Sequence, residues 1–209
     1  MLLSGVGRAP WPVADLDGLA SLKQRVPVVY LSESIAGFYE RYGFVTCLAE
    51  SRLELEVRDV ERLGGEPRLP VQSFARADLP PETLAAMIEL YNQAHAHRSW
   101  THERQAGWNQ LHETQMWEPG SAALAMERDG RLAGYALLRE PYFGRTRPSF
   151  VVDELAALDV EAARALLVEI AARCWERRFS AFQVREPPDS AAGRAARQIG
   201  CTIHQEYAS

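Results

Sequence analysis

Four histidines, His95, His97, His102 and His112, crowd a stretch that also holds Trp100, Trp108 and Trp117. Imidazole is a ready metal ligand, so a zinc-type site is the first chemistry to weigh. Such a site needs three or four ligands converging on one point. No cysteine or carboxylate stands at an obvious ligand spacing from these histidines, so no metal site is predicted. Arg104 and Trp108 lie four residues apart, and one helical turn would let the guanidinium stack on the indole. Core packing of Trp108 explains the same spacing. Cys47, Cys174 and Cys201 are odd in number and lack metal-ligand spacing, which reads as free thiols in a reducing cytoplasm. Glu140-Pro141-Tyr142-Phe143-Gly144 is a loop by composition, able to line a ligand cleft or simply to connect elements.

The chain of 209 residues is 47% hydrophobic and 24% charged, proportions that suit a soluble globular fold. No apolar run approaches the roughly 20 residues of a membrane span. The first residues, Met1 to Gly7, are too short for a secretory signal and lack its basic flank. A formal charge of −5 argues against a general nucleic-acid partner and is compatible with a cationic small molecule such as an amine.

Periodicity places the elements that must position these residues. Ala14 to Gln24 is helical, Val26 to Leu31 is a buried strand, and Phe44 to Val57 is strand-rich. In that last stretch Leu53, Leu55 and Val57 alternate with Glu54 and Glu56. Arg58 to Pro70, with Gly64-Gly65, reads as a linker. Val71 to Arg76 is a strand. Pro80-Pro81 opens a helix whose apolar face is Leu84, Met87, Ile88 and Tyr91. Thr101-x-x-Arg104 begins a second helix carrying Trp108, Leu111 and Gln115. Ser121 to Met126 and Arg131 to Arg139 form a hairpin through Asp129-Gly130. Phe150 to Leu155 is a strand, and Asp159 caps a long helix with Ala163, Leu166, Leu167, Ile170 and Cys174 on or near one face. Ser180 to Val184 is a strand, Asp189 to Ile199 a helix stopped by Gly200, and Cys201 to His204 a strand.

The run Phe38-Tyr39-Glu40-Arg41-Tyr42-Gly43-Phe44 is a short helix ended by glycine between two strands. This strand–helix–Gly–strand pattern resembles the closing segment of the GNAT superfamily of N-acetyltransferases. It returns near the C-terminus, where aligning Gly43 with Gly200 sets Ala196 opposite Tyr39. Chance recurrence in an α/β chain would look the same. Further support for the resemblance comes from Arg104-x-x-x-Trp108, Gly134-Tyr135-Ala136, Asp153-Glu154-Leu155 and Asp159-x-Glu161-Ala162-Ala163. Together these are similar to the tandem, enhanced-intracellular-survival type, which acetylates amines including aminoglycosides.

The resemblance implies an α+β acyl-CoA N-acyltransferase fold with a mixed, mostly antiparallel sheet flanked by helices. It implies a partial first copy at 1–57, a linker at 58–70 and a degenerate second copy at 71–209. It also implies acetyl transfer from acetyl-CoA to a small-molecule amine, with Tyr39 protonating the departing thiolate. The bland alternative is that Tyr39 packs on an ordinary helix. Family members hold the pyrophosphate on backbone N–H groups of a glycine loop at a helix N-terminus. In the first copy that position falls on Gly5, Gly7 and Arg8, although Leu2 stands where the family has Arg or Gln. The second copy departs further. Its long helix opens Leu158-Asp159-Val160-Glu161 without glycine, and Asp159 and Glu161 would repel a phosphate. A noncatalytic structural or interaction module that has lost CoA binding is therefore the rival reading. The second copy also lacks a final strand, so Arg52 to Val57, or its equivalent in a second chain, is expected to pair with an open sheet edge and make a homodimer.

Overall fold

A computed structural model describes residues 49–62, 70–75, 78–98, 103–105, 122–139 and 150–207. The chain divides into two compact units, Met1–Cys47 with Ala208–Ser209, and Leu48–Tyr207. All described residues belong to the second unit. Its elements in chain order are β1 (Ala49–Glu56), α1 (Val57–Glu61), β2 (Val71–Ala75), α2 (Pro81–His95), β3 (Ala122–Arg128), β4 (Arg131–Arg139), β5 (Phe150–Ala157), α3 (Val160–Glu176), β6 (Ala181–Val184), α4 (Ala191–Ile199) and β7 (Thr202–Tyr207).

The strands form one sheet in the order β2-β3-β4-β5-β6-β1-β7. Among the described strands only the β5–β6 pair is parallel. The α+β architecture with a mostly antiparallel sheet and flanking helices is thus the one expected. Hairpin β3–β4 turns on Asp129 and Gly130, at φ 56° and 71°, the paired positive values that match strand twist in a two-residue loop.

Alternation within each strand feeds both faces of the sheet. Leu124, Met126, Ala136, Leu138 and Val152 point toward α3 and α4, whereas Ala123, Ala125, Tyr135 and Leu137 point toward α2. With both faces covered, β3 and β4 read as continuous apolar runs rather than as alternation. Helix α3 buries Leu166, Leu167 and Ile170 completely, each contributing roughly 1.5–3 kcal/mol relative to exposure. It lies so close to β4 that a Cβ on Gly134 would stand 2.9 Å from Leu166 Cδ1. Helix α4 starts with Ser190 Oγ accepting the Gly193 amide at 2.9 Å and ends at Gly200 with φ 108°. Here glycine satisfies a left-handed terminus that other residues adopt at a cost.

Strand β1 takes up sheet pairing, as expected for its alternating segment, and does so within its own chain. Leu53 pairs with Val184 of β6 on one side and Ile203 of β7 on the other, so β1 is inserted in its own chain's sheet. It lies between β6 and β7, and over Leu53–Glu54 both ladder edges are taken. The expected pairing is thus met without a second chain. Leu53 and Leu55 are buried at 0% and 1% exposure on the helix-covered face. The outward Glu54 accepts a hydrogen bond from Gln183 Nε2 at 3.1 Å. Val57 leaves the strand pattern and opens α1. Val57 and Val60, three apart, share the buried face of that single turn and a half, which runs from the expected strand into the stretch read as linker.

Candidate functional site

A buried polar cluster gathers on the α2 side of the sheet. Arg104 Nη1 and Nη2 donate to Glu154 Oε1 and Oε2 at 2.7 and 2.5 Å, a two-pronged pairing. Tyr135 Oη also donates to Glu154 Oε1. The Arg104 guanidinium lies 3.2 Å from the centroid of the Tyr91 ring, which in turn packs at 4.4 Å on His95. Asn92 fixes the backbone carrying this arginine. Its Oδ1 accepts the Arg104 amide and its Nδ2 donates to the Arg104 carbonyl, both at 2.8 Å. That clamp satisfies both polar groups of Arg104 without helical bonds, and residues 103–105 have no regular structure where a helix was expected.

Charge in the cluster follows from burial. Burial opposes ionisation of Arg104, but hydrogen bonding and attraction from Glu154 outweigh it and raise its pKa. Burial, then the Glu154 charge, pushes the Tyr135 hydroxyl well above its usual range, so it remains a donor. Burial, then Arg98, lowers the His95 pKa and keeps that ring neutral at pH 7.

Glu186 completes the cluster from the segment after β6. The parallel ladder ends at Val152–Val184 and closes with Arg185 N–H donating to Val152 O at 3.1 Å. Beyond that point β5 continues without β6. Glu186 Oε1 accepts the Leu155 amide across the gap at 3.3 Å, while Oε2 is buried and has no hydrogen-bond partner among the described residues. Glu186 is 5% exposed. Burial and the nearby Glu154 charge push its pKa up to about 8.

A second arrangement of carboxylate and arginine sits at the α3 N-terminus. Asp159 Oδ1 accepts the Ala162 amide at 2.9 Å, capping the helix as expected. Its other oxygen takes a hydrogen bond from Arg128 Nη2, and Glu161 lies 3.5 Å from Arg128 Nη1. A phosphate at this helix end would meet Asp159 and Glu161, and the amide of Ala162 is already occupied. The residues present do not fit the pyrophosphate of acetyl-CoA.

The structure brings together residues from three of the motifs behind the sequence resemblance: Arg104, Tyr135 and Glu154. Glu186, Tyr91 and Asn92 were not singled out as members of one site. The only local signal at Glu186 is a lone acid between a strand end and Pro187-Pro188. Tyr39, Gly5, Gly7, Arg8, Gly43, Trp108, His102, His112 and the loop 140–144 lie outside the described residues. Among the described residues no group of three or more His, Cys, Asp or Glu side chains is arranged to hold a metal ion. No described helix is long and apolar enough to cross a membrane. A separate cavity of about 640 Å³ opens between α2 and the β3–β4 hairpin, lined in part by Glu82, Glu89, Glu127 and Arg131.

Solved structures share this architecture. A conserved protein of unknown function from Enterococcus faecalis V583, described as a probable N-acyltransferase, superposes with a TM-score of 0.67 at 16% identity. That match covers 98% of this chain and 50% of the other. The chain has the N-acyltransferase fold of the GNAT type. Eis1 from Mycobacterium abscessus shares the fold at TM-score 0.57 and 20% identity, over 98% of this chain and 53% of its own. A GCN5-related N-acetyltransferase from Anabaena variabilis gives 0.64 and 14%, over 92% and 47%. The chain thus spans about half the length of the structures whose fold it shares. No family model and no curated protein sequence matches it.

Proposed function

We propose that the protein serves N-acetyl transfer from acetyl-CoA to a small-molecule amine, and that the described unit is its noncatalytic part. The observation carrying this reading is the Asp159 carboxylate. It sits on the α3 amide and on Arg128, where the fold would otherwise offer a phosphate its anchoring N–H groups. Donor binding then falls to the first unit, with Gly5, Gly7 and Arg8 as the phosphate-holding residues of a partial copy. Tyr39 is its acid. A phenol with a pKa near 10 is protonated at neutral pH and can donate from Oη to a departing thiolate.

Calorimetric titration of the full chain with acetyl-CoA, paired with thiol release in the presence of primary amines, tests this. Tyr39→Phe is expected to slow release by roughly a hundredfold or more while leaving donor affinity within about twofold. Unchanged turnover removes Tyr39 from the reaction. Asp159→Asn is expected to leave donor affinity unaltered, and a changed affinity would put the donor on the described unit. Absence of acetyl-CoA binding at millimolar concentration would leave the interaction-module reading in place of the transferase.

A further inference from the structure

Where β5 and β6 part, one side chain does the work of a missing strand. Leu155 N–H would face an empty ladder position beyond Val152–Val184, and Glu186 Oε1 fills it. The same carboxyl has its second oxygen buried without a partner among the described residues. A buried acceptor left in this way is costly when charged and tolerable when neutral. We propose that the Glu186 side chain is a pH-operated latch across the gap between β5 and β6, closed while its carboxyl is protonated and released when it ionises.

The surrounding groups determine that direction. From β5, Glu154 already brings a carboxylate into the cluster, and Asp153 lies 3.3 Å from Arg185. Tyr135 of β4 and Tyr91 of α2 are held as neutral phenols, their pKa values raised chiefly by burial. His95 of α2 is neutral. Of the nearby cations, Arg104 has both terminal nitrogens on Glu154, and Arg98 lies 2.9 Å from Asp189 at the approach to α4. Ionised Glu186 would thus add a second buried negative charge to a cluster whose cations are already engaged. Movement of the carboxylate toward water relieves this and frees the Leu155 amide. The pKa of about 8, against an ordinary 4.5, places the release in mildly alkaline solution.

The experiment is amide exchange at Leu155, read by nuclear magnetic resonance on the labelled full chain and corrected for base-catalysed exchange. Protection is expected to fall by up to about tenfold per pH unit between roughly pH 5 and pH 8 and to level off above that. Glu186→Gln retains an acceptor and cannot ionise, so its Leu155 protection should stay level over that range. Constant protection in the native protein, or the same loss in Glu186→Gln, would overturn the latch. The carboxyl carbon of Glu186 provides an independent reading in the unmutated chain. A midpoint near pH 8 supports the proposal, and one near 4.5 ends it. Neither readout depends on acetyl transfer, so the latch and the transferase reading fail separately.

Discussion

Two arginines in this unit each meet a carboxylate, and their surroundings make them different devices. Arg104 and Glu154 have side chains only 9% and 11% exposed, bound at two points and flanked by aromatic rings. Arg128 and Asp159 are 33% and 41% exposed, and Asp159 also serves a helix terminus. In the first pair neither charge can return to water if its partner is lost, so removal leaves a buried ion. In the second, solvent replaces the partner and salt screens what remains. The contrast teaches that the same residue pair pins a core in one place and trims a surface in the other.

Arg104→Met should have the largest effect, about 3–5 kcal/mol of lost stability, because Glu154 is stranded beside Glu186. Chemical denaturation measures it, and a loss under about 1 kcal/mol would erase the distinction between the two pairs. Gly193→Ala tests the wall behind Glu186. A Cβ there would stand 2.3 Å from Pro187 O and 2.5 Å from Pro188 C, so the backbone must shift. A cost of about 1–3 kcal/mol is expected, with displacement of the Leu155 amide resonance. Asp159→Ala should cost about 1 kcal/mol through loss of the cap, read from the same denaturation curves. Arg128→Ala should have the smallest effect, one that disappears in about 1 M salt.

The two regions also respond to pH with opposite sign. Hydrogen bonding from Arg128 holds the Asp159 carboxyl below its usual 3.8, so its contribution is present above that pH and fades as pH falls through the depressed value. Glu186, raised from 4.5 to about 8, contributes fully below 4.5 and progressively less as pH rises to about 8. A stability profile that is flat from pH 5 to 8 within about 0.5 kcal/mol would contradict the second slope.

Local chemistry made several elements legible in the sequence. Asp159 as a cap, the apolar stripe from Ala163 to Cys174, the Asp129-Gly130 turn and the Gly200 stop each depend on residues within a few positions of one another. Their energies are decided inside one turn or one hairpin, and the resemblance to the acyltransferase fold follows from their order. Three residues of the buried cluster were also visible as motif members, but nothing local connects Arg104 with Glu154, 50 positions away, or Leu155 with Glu186, 31 away. Strand β1 shows the same limit. Alternation at Leu53 and Leu55 established that one face is buried, yet backbone hydrogen-bonding groups are alike at every edge and do not encode a partner. Only the folded sheet decided that β1 enters between β6 and β7. Only the parting of β5 from β6 decided that Glu186 turns inward, because burial and pairing are properties of the assembled core rather than of any segment within it.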